Sequence, residues 1–138
     1  MHRRALVSWL ASASLVGHGR TALAQAGETW RSFMARAFEM RRQAEAAGDQ
    51  PYGAVVVKDR AIVAESPSRV VTAGNSDAHA EREALRLAQA RLGTQALTGC
   101  VLVSSSRPCS LCEKAAHDAG VARMIYGEHL TDGGPPRA

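Results

Sequence analysis

His79-Ala80-Glu81 and Pro108-Cys109-Ser110-Leu111-Cys112, with 26 residues between them, are the segments on which the reading of this chain turns. Two thiols and an imidazole are good zinc ligands. Structural zinc sites close with a fourth residue, whereas three protein ligands leave one tetrahedral position open to water. His79, Cys109 and Cys112 therefore read as a zinc site of the catalytic type, with Glu81 beside it to move protons. The intervening residues suffice for one helix, one turn and one strand, which puts the two segments in successive units of the fold.

Placement adds to this. Asp77 is a candidate N-cap for a helix beginning near His79, and Pro108 suits the first turn of another. Helix N-termini aimed at a common point favour thiolates there. Residues two apart diverge on a regular helix, so His79 and Glu81 can face one point only where a helix starts.

Outward from this pair, Trp30, Phe33, Met34, Ala37 and Phe38 recur at i, i+3, i+4, i+7 and i+8. They predict a helix over 28–47, ended by Gly48-Asp49-Gln50-Pro51. Residues 53–57 and 61–64 are short apolar strands joined by the turn Lys58-Asp59-Arg60. Residues 66–77, rich in Ser, Pro, Gly and Asn, read as a loop. The helix from His79 runs to about Leu92 and stops at Gly93. A buried strand follows over 100–103, then a helix to about Ala119 stopped by Gly120, and a strand over 121–126. The alternation predicts an α/β domain over 28–130, with helices covering a mostly parallel section of sheet. The Gly/Pro-rich residues 131–138 are expected to form an unstructured tail.

A length of 138 residues fits one domain, and 46% hydrophobic with 22% charged residues is ordinary for a globular chain. The net charge of +4 invites a nucleic-acid partner, but Arg3, Arg4 and Arg20 lie in a 24-residue segment without acids. The remainder carries 14 basic against 13 acidic residues. No phosphate-binding surface follows from that balance, and a nucleic-acid partner is not expected. Arg3-Arg4, an uncharged stretch over 5–16 and Ala22-Leu23-Ala24 together read as an export signal over 1–24. The paired arginines and Arg20 also resemble a twin-arginine signal. The stretch is too short to span a bilayer. Export to a periplasm is the expectation, with a cytoplasmic protein the alternative if translation starts further downstream. Cys100 lies in an apolar run and reads as a buried small hydrophobe.

The H-x-E…P-C-x-x-C pattern is an established signature of zinc deaminases, and these two segments match it. The chain resembles the cytidine/deoxycytidylate deaminase superfamily from about Met34 to Gly127. Val71-Thr72-Ala73-Gly74-Asn75-Ser76-Asp77-Ala78 before His79 is most similar to the guanine deaminase-like and tRNA adenosine deaminase branch. Residues 47–57 resemble the family's first strand and the turn before it, and Arg123-Met124-Ile125-Tyr126-Gly127 its fourth strand. The resemblance implies a three-layer α/β/α fold with a mixed sheet of about four strands, short at the C-terminus. It implies Zn2+ on His79, Cys109 and Cys112, with Glu81 catalytic. Gly53, Ala54, Ser68, Ala80 and Pro108 would bind substrate. The implied reaction is hydrolytic deamination of a nucleobase or nucleoside, a guanine-like base favoured, with release of ammonia.

Two positions depart from the pattern. Ser68 stands eleven residues before His79, where this branch commonly has Asn against the base. A hydroxyl lacks an amide's paired donor and acceptor. Arg107 stands where Glu often precedes Pro-Cys. The chain also stops soon after the fourth strand, leaving a bare sheet edge that predicts a homodimer, or else a non-catalytic zinc-binding remnant. A C-x-x-C redox pair is the other alternative, and it does not explain Glu81. Tyr52 reads equally as a base-stacking or a core-edge aromatic, Asn75 as a turn residue, His117 and Arg41-Arg42 as surface.

Overall fold

The computed structural model describes residues 29–138, and the export signal expected over 1–24 lies outside them. The element order is α1 (Trp30–Ala46), β1 (Gly53–Lys58), β2 (Ala61–Pro67), α2 (Ala80–Leu92), β3 (Val101–Ser104), α3 (Ser110–Asp118), β4 (Arg123–Tyr126) and β5 (Thr131–Gly134). These strands form one sheet in the order β2-β1-β3-β4-β5. Within it only β3 and β4 run parallel, and every other neighbouring pair is antiparallel. The sheet is thus mixed, with far less parallel pairing than alternation of elements suggests. β1 lies beside β3 because the β1–β2 hairpin sends β2 to the outer edge.

Three layers follow from the pleat of β1. Successive strand side chains point to opposite faces. Val55 and Val57 pack with Phe33, Met34 and Ala37 of α1, together with Val103 and Ile125. Ala54 and Val56 face the other way, into a core with Ala84, Leu85 and Ala88 of α2 and Ala116 of α3. Both faces of β1 are covered, so its sequence is a continuous apolar run without polar alternation. Gly53 begins that strand directly beneath α1. A Cβ there would overlap the Ala37 carbonyl oxygen and the Arg41 backbone nitrogen.

The β1–β2 turn is two residues, Asp59 and Arg60, both with positive φ (50° and 60°). That is the hairpin geometry whose twist matches the strands, and it leaves Lys58 inside β1. α2 stops where expected, at Gly93 with φ 64°.

Two expectations fail at the C-terminus, the unstructured tail and the count of about four strands where the sheet has five, and one fails at the loop. Residues 131–138 are not an unstructured tail, since Thr131–Gly134 form β5 against β4. Arg123 pairs with Asp132 at 2.9 Å across that ladder, and Pro136 is buried. The Gly/Pro content conceals a strand too short to show alternation. β5 also covers the β4 edge on which the expectation of a dimer rested. Finally, Ser66 and Pro67 belong to β2, so the loop before His79 is shorter than its composition predicts.

Candidate active site

His79 is the N-cap of α2, in extended conformation with no capping bond from its side chain, which leaves the ring free for other duty. Asp77, expected at that cap, instead lies outside the helix. Its N–H donates to the Asn75 side chain at 2.9 Å and its carboxylate pairs with Arg82 at 3.1 Å. Asn75 is thereby a turn residue, as expected. Cys109 is the N-cap of α3, and its sulfur accepts the Cys112 N–H at 3.4 Å. Pro108 precedes that cap and is not in the first turn. Both ligand segments do open helices, and so His79 and Glu81 converge.

The three ligand atoms lie within 4.8 Å of one another. His79 Nδ1 stands 3.7 Å from Cys109 Sγ and 3.4 Å from Cys112 Sγ. Zinc with Zn–S near ~2.3 Å and Zn–N near ~2.0–2.1 Å in a tetrahedron requires N···S separations of roughly 3.6 Å, which these two bracket. Ligation through Nδ1 places the imidazole proton on Nε2. Cys112 is fully buried. Burial first, then the Glu81 carboxylate and Cys109, push its thiol far above the usual range. The protein alone therefore penalises a thiolate here, and a divalent cation reverses that balance. Donor type, spacing and charge all fit zinc.

Glu81, 5% exposed, has its two oxygens differently engaged. Oε1 accepts the Ser104 hydroxyl at 2.8 Å, and Oε2 accepts from Cys112 Sγ at 3.8 Å. A buried carboxylate with one strong neutral donor keeps acceptor capacity for a further partner. A cleft of about 280 Å3 opens over these groups, lined by Gln50, Tyr52, His79, Glu81, Arg107 and Cys109. That is near the lower end of the ~300–1,000 Å3 typical of small-ligand clefts.

None of the five expected substrate-binding residues lines this cleft. Gly53 makes its close approach to α1, and Ala54 and Ala80 are buried in the apolar core. Pro108 lines a separate small cavity with Glu113, Met124 and Tyr126. Ser68 is 2% exposed and its hydroxyl donates to Asp49 Oδ1 at 2.9 Å. Asp49 also accepts the N–H groups of Gln50, Val71 and Thr72, at 2.8, 3.1 and 2.7 Å. This carboxylate ties the loop after β2 to the segment that carries Gln50 and Tyr52.

Ser104 and Asp49 carry no sequence signal for these roles. Ser104 ends an apolar strand in a run of three serines, and nothing linear points it at Glu81. Asp49 sits among turn residues, where an acid is commonplace. Gln50 has the same camouflage. Tyr52 is half-exposed and lines the cleft.

Residues 28–128 match the family model described as the cytidine and deoxycytidylate deaminase zinc-binding region. The guanine deaminase of Bacillus subtilis (strain 168) is 38% identical over 102 residues, 73% of this chain and 65% of that one. The tRNA-specific adenosine deaminase of Agrobacterium fabrum (strain C58 / ATCC 33970) is 34% identical over 74% of this chain and 67% of its own length. Among solved structures, a tRNA:A34 deaminase superposes with a TM-score of 0.68 at 34% identity, over 69% of this chain and 73% of that one. The Bacillus subtilis guanine deaminase structure gives 0.67 at 38%, over 70% and 62%. The chain thus spans about two thirds of these relatives. With the profile covering nearly all the described residues and the ligand set in place, the chain belongs to the cytidine and deoxycytidylate deaminase zinc-binding family.

Proposed function

We propose that the protein is a zinc-dependent hydrolytic deaminase of a nucleobase or nucleoside, a guanine-like base favoured, that releases ammonia. The observation that carries this is the Glu81 carboxylate, held by Ser104 in a small cleft beside three zinc-type donors. When bound, zinc supplies Lewis acidity that makes water a nucleophile near neutral pH. His79, Cys109 and Cys112 hold the metal. Glu81 takes the proton that water gives up, passes it to the ring nitrogen, and serves again as ammonia leaves. Ser104 holds Oε1 at 2.8 Å, and Oε2, whose contact with Cys112 Sγ is the longer at 3.8 Å, is the oxygen that carries the proton. Tyr52, half-exposed, offers a face against which a flat heterocycle stacks.

A guanine-like substrate is supported by the identity to guanine deaminase and by the small cleft. A near-neutral charge outside the first 24 residues argues against RNA. A panel of free bases and nucleosides, assayed for ammonia release with the zinc-loaded protein and its E81Q variant, tests the reading. Turnover on at least one compound, abolished in E81Q with zinc retained, is expected. No turnover on any would leave a zinc-binding remnant of the fold. Export and homodimerisation belong to the same proposal. Export rests on the N-terminal pattern, and dimerisation on the outer edges of β2 and β5. N-terminal sequencing from a periplasmic fraction and sedimentation velocity read them.

A further inference from the structure

Arg107 is the one cleft residue of charged type that the reaction above leaves without a task. Most arginines among the described residues are committed to a carboxylate: Arg36 to Glu65, Arg41 to Glu45, Arg42 to Glu39, Arg82 to Asp77, Arg86 to Glu83, Arg123 to Asp132 and Arg137 to Glu113. Among the described residues Arg107 forms no hydrogen bond or close ion pair, and its charge is felt only at longer range by Glu113. That carboxylate already accepts both the N–H and the Nε of Arg137 through one oxygen, at 3.0 and 3.2 Å.

The position of Arg107 is unusual as well. Its exposed side chain lines the cleft over His79, Glu81 and Cys109 and also the small cavity lined by Pro108, Glu113 and Arg137. It is therefore a solvent-exposed cation on the wall of the cleft. The other charged group in the cleft is Glu81, which is buried and turned to Ser104 and Cys112. A guanidinium presents a planar fork that matches carboxylate or phosphate oxygens two at a time.

We propose that Arg107 is a specificity-determining residue that binds an anionic substituent, phosphate or carboxylate, on the heterocycle placed over the zinc-type donors. The proposal rests on the deaminase reading and refines its substrate class: the guanine-like heterocycle that is preferred carries a charged substituent. Being exposed, the contact weakens with salt.

Equilibrium binding to the zinc-loaded E81Q protein tests this, with turnover silenced. Two matched pairs separate the sources of charge: guanosine against guanosine 5′-monophosphate, and pterin against 6-carboxypterin. The expected result is that the anionic member of at least one pair binds about ten-fold more tightly at low salt. That ratio falls to about one on adding R107A, recovers in part with R107K, and shrinks as salt rises. Equal affinities within both pairs, a preference that survives R107A, or no binding by any of the four would overturn the proposal. Ammonia release by the wild-type chain keeps the two readings apart. Turnover of neutral compounds with no anionic preference retains the deaminase and removes the role of Arg107. An Arg107-dependent preference without turnover does the reverse.

Discussion

Replacing Ser104 by Ala removes one donor from Glu81 and little else. The residue is fully buried, its hydroxyl lies 2.8 Å from Oε1, and its carbonyl keeps the Gly127 N–H at 3.1 Å in the variant. Hydrogen bonds to charged groups contribute about 1.5–3 kcal/mol, and those to neutral groups about 0.5–1.5. Glu81 is 5% exposed, so water does not readily replace the lost donor. Zinc-loaded S104A should therefore lose about 1.5–3 kcal/mol of stability in urea, against about 0.5–1.5 when the same change is made in E81Q. Its zinc content stays at the wild-type level, because Ser104 touches no ligand. Turnover should fall about ten-fold as Oε1 loses its anchor. A loss below about 0.5 kcal/mol in both backgrounds, the usual scatter of independent sites, would refute the claim that this bond holds the carboxylate.

Three further outcomes follow from the fold. Gly53→Ala drives a Cβ against backbone atoms of α1 that have no side chain to rotate away, and should cost about 1–3 kcal/mol in chemical denaturation. For Asp49, burial alone would raise the carboxyl. The bonds from the Thr72 and Gln50 N–H groups and the Ser68 hydroxyl outweigh it and hold the group well below the usual carboxylate range. A folded-state pKa below the unfolded one gives stability that is full above the unfolded value of about 3.9 and is lost as pH falls below it. Asp49→Asn should thus be less stable at neutral pH and lose less on acidification, read by melting temperature against pH. Deleting residues 131–138 bares the β4 edge and the Glu113 carboxylate, and should produce larger species in size-exclusion chromatography.

The ligand set is legible in the sequence because zinc chemistry restricts residue type and spacing together. His79, Cys109 and Cys112 meet as their spacing predicts, and the helices that bring them together are visible from Gly93, Gly120 and the apolar periods. The α/β/α layering is legible in Val55 and Val57 against Ala54 and Val56, a run with no polar face. What stays hidden depends on packing between distant segments. β5 carries no alternation in Thr131–Gly134, and its existence depends on the β4 edge. Ser68 resembles a shortened base contact, but its hydroxyl is taken by Asp49, a pairing of residues 19 apart that no local pattern announces. Gly53 is a point of close approach whose neighbour is helix α1, a contact between distant segments that no local pattern announces.

The most direct test of the account is the zinc content of the purified wild-type, E81Q and C112S proteins. One zinc per chain is expected in the first two, because Glu81 lies beside the ligands and is not among them. Close to none is expected in C112S, which loses a buried thiolate ligand. A wild-type protein that holds no zinc and carries a reducible Cys109–Cys112 bond would contradict the central claim and leave a redox pair in its place.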